Sequence, residues 1–338
     1  MTSSPQQVCV IGSGAWGTAL ATVLADQGHP VTMWSYEDEV AQTINTNHIN
    51  EKYLPGVTLP KNITATTDAL QAVADRQIIV SVCPAQHVRS VTSLWAESAS
   101  PSAVIVSASK GIEQGTGLLM SDVFQEVLPQ KLKRRVSFLS GPSFAMEVAT
   151  KKPTVVVIAA KHEGLAEQVQ HLFALPTFRT YRSTDVVGVE VGGALKNVIA
   201  LATGICDGMG LGHNARAAVI TRGLVEITRM AKALGADPIT MMGLAGMGDL
   251  ILTCNADLSR NRTVGKALGK GRSLDEVLGG MPQVVEGVST AKSAYNLARK
   301  LGVETPIINE VYSILYEGES IDGAVDRLMT RTLKREEV

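Results

Sequence analysis

Val8-Cys9-Val10-Ile11-Gly12-Ser13-Gly14-Ala15-Trp16-Gly17-Thr18-Ala19 decides the fold of the amino-terminal half. Four apolar residues, strand length, run straight into three glycines spaced G-x-G-x-x-G, and an amphipathic helical stretch, Thr18–Gln27, follows. In this context each glycine has a mechanical task. Gly12 permits the tight turn, Gly14 lets a pyrophosphate approach the backbone, and Gly17 lets the helix pack close to the strand. The helix N-terminus adds unpaired N–H groups and a partial positive charge. Strand, glycine turn and helix in this order are the fingerprint of a dinucleotide cradle; a glycine turn without a ligand is the weaker reading.

Outward from that stretch, strand candidates recur at Val31–Trp34, Ile78–Val82, Val104–Ser107, Val136–Leu139 and Val155–Ala159, with helical stretches such as Gly117–Val127 between them. Several are continuous apolar runs, as in parallel strands covered on both faces. This alternation predicts an α/β fold with a Rossmann-type doubly wound sheet. After about residue 185 the strand signal fades. Helices are expected at 188–206, 215–235, 262–269, 274–279, 289–301 and 307–317, giving an all-helical C-terminal domain. A dinucleotide-binding domain over 1–187 and a helical domain over 188–338 follow. The charged end, Lys334 to Val338, reads as a frayed tail.

The chain has 338 residues, formal net charge −1 and 19% charged residues, and nothing in this balance suggests a surface dedicated to nucleic acid or anionic lipid. Cys9, Cys83, Cys206 and Cys254 lie far apart, without a Cys-x-x-Cys pair or Cys/His cluster. Neither a disulfide framework nor a metal site is expected, and a reducing compartment fits. The N-terminus carries no basic segment, and no stretch approaches roughly 18 uninterrupted apolar residues. A soluble cytoplasmic protein with no stable membrane insertion is the expectation.

Beyond the glycine loop, chemistry concentrates in four places. Ser109-Lys110-Gly111 follows the strand Val104–Ser107, where carboxyl ends of parallel strands meet ligands. Ser140-Gly141-Pro142-Ser143-Phe144-Ala145 follows the strand Val136–Leu139; Ser143 reads as an N-cap whose helix offers N–H groups to an anion. Glu190 to Asn197 lies on the first helix of the second domain. Its Gly192, Gly193 and Ala194 admit a close neighbour, and Lys196 follows within an apolar stretch. Burial would lower the pKa of that amine and let it exchange a proton, whereas snorkelling to water is the bland alternative. Finally, Asp249 and Thr253 share one helix face. Ser259-Arg260-Asn261-Arg262 then stands before another helix, a guanidinium and amide setting suited to a phosphate monoester. For the dinucleotide itself, an acid directly after the second strand would favour the ribose 2′-OH. Ser35 and Tyr36 come first, Glu37 and Asp38 only afterwards, and no arginine stands among them, so NAD and NADP both stay open.

Taken in order, the glycine loop, Ser109–Gly111, Ser140–Ala145, Gly192–Asn197, Gly248–Leu252 with Thr253, and Ser259–Arg262 resemble the bacterial NAD(P)-dependent glycerol-3-phosphate dehydrogenases from about residue 8 to about 320. Asn47 to Gly56 adds to the likeness. The resemblance implies reversible hydride transfer between NAD(P)H and dihydroxyacetone phosphate, yielding sn-glycerol 3-phosphate for phospholipid synthesis. It implies Lys196 as general acid/base, with Lys110 and Asp249 completing the catalytic set. Substrate contacts would come from Lys110, Gly141, Ser143, Lys196, Asn197, Asp249, Thr253, Ser259, Arg260 and Asn261. Dinucleotide contacts would come from Gly12, Ser13, Gly14, Ala15, Trp16, Gly17, Tyr36, Lys110, Ala145, Arg260, Val284 and Glu286. It also implies a homodimer joined through the helical domain. Ala15 replaces the serine that many members carry, and a basic residue often stands where Tyr36 does. The rival readings are a related β-hydroxyacid or ketopantoate-type dehydrogenase and a non-catalytic dinucleotide sensor.

Overall fold

The computed structural model describes residues 4–281 and 284–336. The described chain divides into two compact units, 1–110 with 119–189, and 111–118 with 190–338.

The first unit contains ten strands: β1 (Val8–Ile11), β2 (Val31–Trp34), β3 (Ile49–Asn50), β4 (Leu54–Thr58), β5 (Ile63–Thr66), β6 (Ile78–Ser81), β7 (Val104–Ser107), β8 (Val136–Ser140), β9 (Thr154–Ala159) and β10 (Phe178–Ser183). Eight form one sheet in the order β10-β9-β8-β7-β6-β1-β2-β5, and β3 pairs with β4 in a small antiparallel ribbon. From β1 the chain builds outward through β2 and β5, then returns to β6 on the other side. That reversal is the topological switch point of a doubly wound sheet, and ligands bind where it opens. The residues of β1 are wholly buried, because parallel strands between helices meet no water on either face.

Two departures from the expected sheet have local causes. Val155–Ala159 belongs to the sheet but runs antiparallel to β8, and β10 follows it in parallel. The connection from Ser140 to Thr154 contains only the helix Ala145–Ala149. Such a helix spans about 7 Å, too short to carry the chain back along a strand of about 16 Å. The edge strands β5 and β10 and the β3–β4 ribbon carry little apolar signal; in β10 buried and exposed residues alternate around two arginines.

The second unit is helical. Val186–Met209, Gly212–Ala233, Arg260–Gly269, Leu274–Gly279, Glu286–Leu301 and Pro306–Tyr316 correspond to the expected helices, most beginning two or three residues earlier. Asp249–Asn255 and Ile321–Met329 are additional, the latter capped by Ser320, whose hydroxyl accepts from Gly323 N at 3.1 Å. Val186–Met209 is long and apolar enough to cross a membrane by composition, yet 89% of its most apolar window is buried inside the protein. At the tail, Lys334 pairs with Glu304 at 2.9 Å and Arg331 pairs with the same carboxylate, so the expected fraying does not begin at residue 334. Residues 1–3 and, within that tail, 337–338 lie outside the described residues.

Candidate functional site

In the first unit, β1 delivers the glycine loop to the switch point. Gly12 adopts φ +116°, and a Cβ there would meet the Val82 carbonyl at 2.9 Å. Gly14 caps the helix Ala15–Asp26, and nothing lies within 4 Å of the place its Cβ would take. That open space above a helix N-terminus with no acid in its first turn fits a pyrophosphate. Gly17 clears the Gly12 carbonyl, which its Cβ would approach to 2.0 Å. Its task is therefore to close the loop on itself as much as to seat the helix on the strand. Ala15 and Trp16 form the first turn of that helix, with Trp16 half-buried. Tyr36, just past β2, is 87% exposed.

Lys110 leaves the end of β7 and donates from Nζ to the Gly141 carbonyl at 3.2 Å. Gly141, at φ +138° after β8, has room for no side chain, because Val156 Cα would lie 2.9 Å from a Cβ. Ser143 is not the expected N-cap. The helix begins at Ala145 with Phe144 at the cap, and the Ser143 hydroxyl donates to the Gly141 carbonyl at 3.0 Å instead. Prolonging β8 into a turn at Gly141 moves the helix start two residues beyond the serine. The site therefore rests on side chains gathered at one carbonyl and not on a capped helix.

In the second unit, Lys196 does not snorkel. It is 7% exposed and its ammonium pairs with the carboxylate of Asp249, itself 1% exposed. Removing either member of a buried pair would leave an uncompensated charge, so each fixes the other. Thr253, one turn on, donates to the Asp249 backbone carbonyl at 2.6 Å and lies 3.4 Å from its carboxylate. The approach depends on Gly192, one turn before Lys196: a Cβ there would meet the Ala245 carbonyl at 2.5 Å, so the segment leading into Asp249 can rest on the helix.

Ser259, Arg260 and Asn261 start a helix instead of preceding one. Ser259 is its N-cap and accepts from Arg262 N at 3.3 Å. Asn261 accepts from Gly287 N at 2.9 Å and donates to the Asn197 side chain at 3.0 Å, tying three helices together. Arg260 donates to the Val284 carbonyl at 2.8 Å, and Glu286 acts on it electrostatically. The Arg262 guanidinium is held by Asp207 at 2.7 Å and Asp257 at 2.7 Å, with Arg216 on the other oxygen of Asp207. This helix lies against Val186–Met209 through glycines on both sides. Cβ atoms at Gly204, Gly208, Gly265 and Gly269 would each come within 2.1–2.4 Å of the facing backbone.

Sequence reasoning missed Asn50, whose amide donates to the Ser13 carbonyl and to Thr18 Oγ1, both at 2.8 Å, bracing the glycine loop. Its only signal was its place in the Asn47–Gly56 stretch. Asp207 with Arg262 is the second omission, visible only once residues 55 apart are brought together. Among the described residues, no group of three or more His, Cys, Asp or Glu side chains is placed to hold a metal ion.

The chain matches the family described as NAD-dependent glycerol-3-phosphate dehydrogenase, its N-terminus over residues 7–166 and its C-terminus over residues 185–326. A glycerol-3-phosphate dehydrogenase [NAD(P)+] of Citrifermentans bemidjiense is 52% identical over 333 residues, which is 98% of this chain and 99% of that protein. A crystal structure of glycerol-3-phosphate dehydrogenase from Coxiella burnetii superposes with TM-score 0.92 at 36% identity, covering 97% of this chain and 99% of that one. A ketopantoate reductase from Ralstonia eutropha superposes over 96% of this chain and 99% of its own, with TM-score 0.59 and 14% identity, a likeness of fold alone.

Proposed function

The chain belongs to the NAD-dependent glycerol-3-phosphate dehydrogenase family, and from that premise we propose its reaction: reversible hydride transfer between NAD(P)H and dihydroxyacetone phosphate, giving sn-glycerol 3-phosphate. The observation that carries the residue roles is the buried Lys196–Asp249 pair. Reduction of a carbonyl needs a proton at the oxygen as the carbon accepts hydride, and oxidation needs the reverse. Lys196 Nζ gives that proton and takes it back. Asp249 accepts a hydrogen bond from the amine, aims it, and stabilises its charged form, while Thr253 holds Asp249 in place. NAD(P)H, when bound, supplies the hydride.

The phosphate falls to Ser259, Arg260 and Asn261. They combine a guanidinium, an amide with a second N–H to give, and a helix N-terminus, the donors that bind a dianion. Lys110, Gly141, Ser143 and Asn197 complete the substrate contacts. Gly12 to Gly17, Tyr36, Ala145, Val284 and Glu286 serve the dinucleotide; the open space at Gly14 supports this. The first unit, 1–110 with 119–189, then serves as the dinucleotide-binding domain and the second as the substrate-binding and dimerisation domain. The product feeds phospholipid synthesis, and the enzyme works as a cytoplasmic homodimer.

The test follows the near-ultraviolet absorbance of NADH or NADPH in the presence of dihydroxyacetone phosphate. Wild type should consume one or both. Lys196→Ala should lose at least about 10²-fold in kcat while still binding NADH. Near-wild-type turnover in that variant would remove Lys196 from its role, and no consumption by wild type would remove the substrate.

A further inference from the structure

The end of β2 and the β3–β4 ribbon form a charged cluster beside the glycine loop. Gly12 N donates to the Trp34 carbonyl at 3.1 Å, and the Ser13 and Ser35 hydroxyls are 2.8 Å apart and buried. Ser35 in turn clasps the backbone of Glu37, donating to its carbonyl at 3.0 Å. The Glu37 side chain is fixed at both oxygens: Lys52 Nζ lies 2.6 Å from Oε1, and the Tyr53 hydroxyl donates to Oε2 at 2.9 Å. Lys52 and Tyr53 stand two and three residues after Asn50, which braces Ser13, so one short segment holds both the loop and the carboxylate. The Lys52 hydrogen bond keeps Glu37 below the usual carboxylate range, hence ionised.

We propose that Glu37, fixed by Lys52 and Tyr53, reads the adenosine ribose and makes this chain select NAD(H) over NADP(H), an inference that rests on the dehydrogenase reading above. An acid at the end of the second strand of such a sheet accepts from the ribose 2′-OH and repels a 2′-phosphate. Each Glu37 oxygen, with one donor already placed, keeps capacity for another. The balance of charge points the same way. Asp38 and Glu39 occupy the first turn of the next helix, Asp38–Asn47, so its N-terminus is already furnished with anions. Three carboxylates stand in sequence there, with the Lys52 ammonium held by Glu37, and Glu39 also acts on Lys52. Discrimination comes from repulsion of the wrong cofactor as much as from attraction of the right one.

The experiment is fluorescence titration of wild type, Glu37→Gln and Lys52→Gln with NADH and with NADPH, which needs no turnover. Wild type should bind NADH at least about tenfold more tightly than NADPH. Glu37→Gln should tighten NADPH by about tenfold with NADH changed only a few-fold, and Lys52→Gln, which removes the neighbouring cation, should weaken NADPH further. An unchanged ratio in Glu37→Gln, or a shift toward NADPH in Lys52→Gln, overturns the proposal. Lys52 is a surface residue, so its variant decides the matter even if Glu37→Gln fails to fold. Equal or tighter binding of NADPH by wild type overturns the selectivity alone, whereas binding of neither cofactor overturns the dehydrogenase reading with it.

Discussion

Gly265→Ala puts the packing of the second unit to a quantitative test. The new methyl would stand 2.1 Å from the Leu201 carbonyl oxygen and 3.0 Å from Ile205 N, where ordinary contact begins at 3.4 Å. Both obstacles are backbone, so no rotamer change relieves them, and the helices must part by roughly 1.3 Å, the difference between contact and overlap. Overpacking of this kind costs about 2 kcal/mol, which in a unit of this size lowers Tm by about 4–8 °C. The functional effect should be larger. Ser259, Arg260 and Asn261 ride on the first turn of the displaced helix, and a misplacement of about 1 Å costs on the order of 10²-fold in rate. Thermal unfolding and steady-state kinetics with dihydroxyacetone phosphate read both effects. Gly279→Ala is the control: nothing lies within 4 Å of its Cβ position, and Tm should stay or rise slightly. If Gly265→Ala keeps the wild-type Tm and kcat/KM, the argument from close helix contact is wrong.

Further expectations rest on single contacts. Gly14→Ala meets no protein atom, so Tm should stay within about 1 °C while NADH binding weakens by tenfold or more, because the methyl takes the pyrophosphate's place; unimpaired binding would show that the loop holds nothing there. Asn50→Ala removes the brace on Ser13 and Thr18 and should cost about 1–3 kcal/mol of stability together with NADH affinity, read by urea unfolding and titration. Glu226, buried beneath the N-terminus of Pro306–Tyr316, accepts from Ile307 N at 2.7 Å and Ile308 N at 3.1 Å. Burial pushes its carboxyl up to about 7, against a partial lowering by those two N–H groups. The folded protein therefore holds this proton more tightly than the unfolded chain, and stability declines as pH rises from about 4.5 toward 7. Glu226→Gln should flatten that slope in urea titrations across the interval, and an identical slope in the variant would assign it elsewhere.

The glycine loop was legible because its demands are local: a tight turn and an open helix N-terminus can each be read from spacing, whereas the clearance between Gly17 and the Gly12 carbonyl could not. For Lys196 the spacing marked the helix but left burial and snorkelling both open, and the choice falls to burial because the Asp249 carboxylate is there to pair it. What spacing cannot show is who meets whom. That Asp249 is the partner of Lys196, 53 residues away, depends on the Gly192–Ala245 contact. The direction of β9 was hidden because an apolar run looks alike whichever way it points. Ser143 was misread because a serine before a helix suits either a cap or a turn, and only the extra residue of β8 and the turn at Gly141 separate the two. Asn50 and the β3–β4 ribbon carry no periodicity, so their bracing role left no pattern to find.

Val186–Met209 has a consequence for how the protein is made. Its apolar surface is covered by segments synthesised after it, among them the 245–246 turn and the Arg260–Gly269 helix. At roughly 5–20 residues per second, the fifty or so residues separating Met209 from that helix take several seconds to leave the ribosome. During that interval the nascent chain carries a long greasy rod with bare glycine grooves, next to an amino-terminal sheet whose strands are all already in hand. Chains arrested between residues 210 and 260 should accordingly be the ones that chaperones hold and that aggregate when they do not.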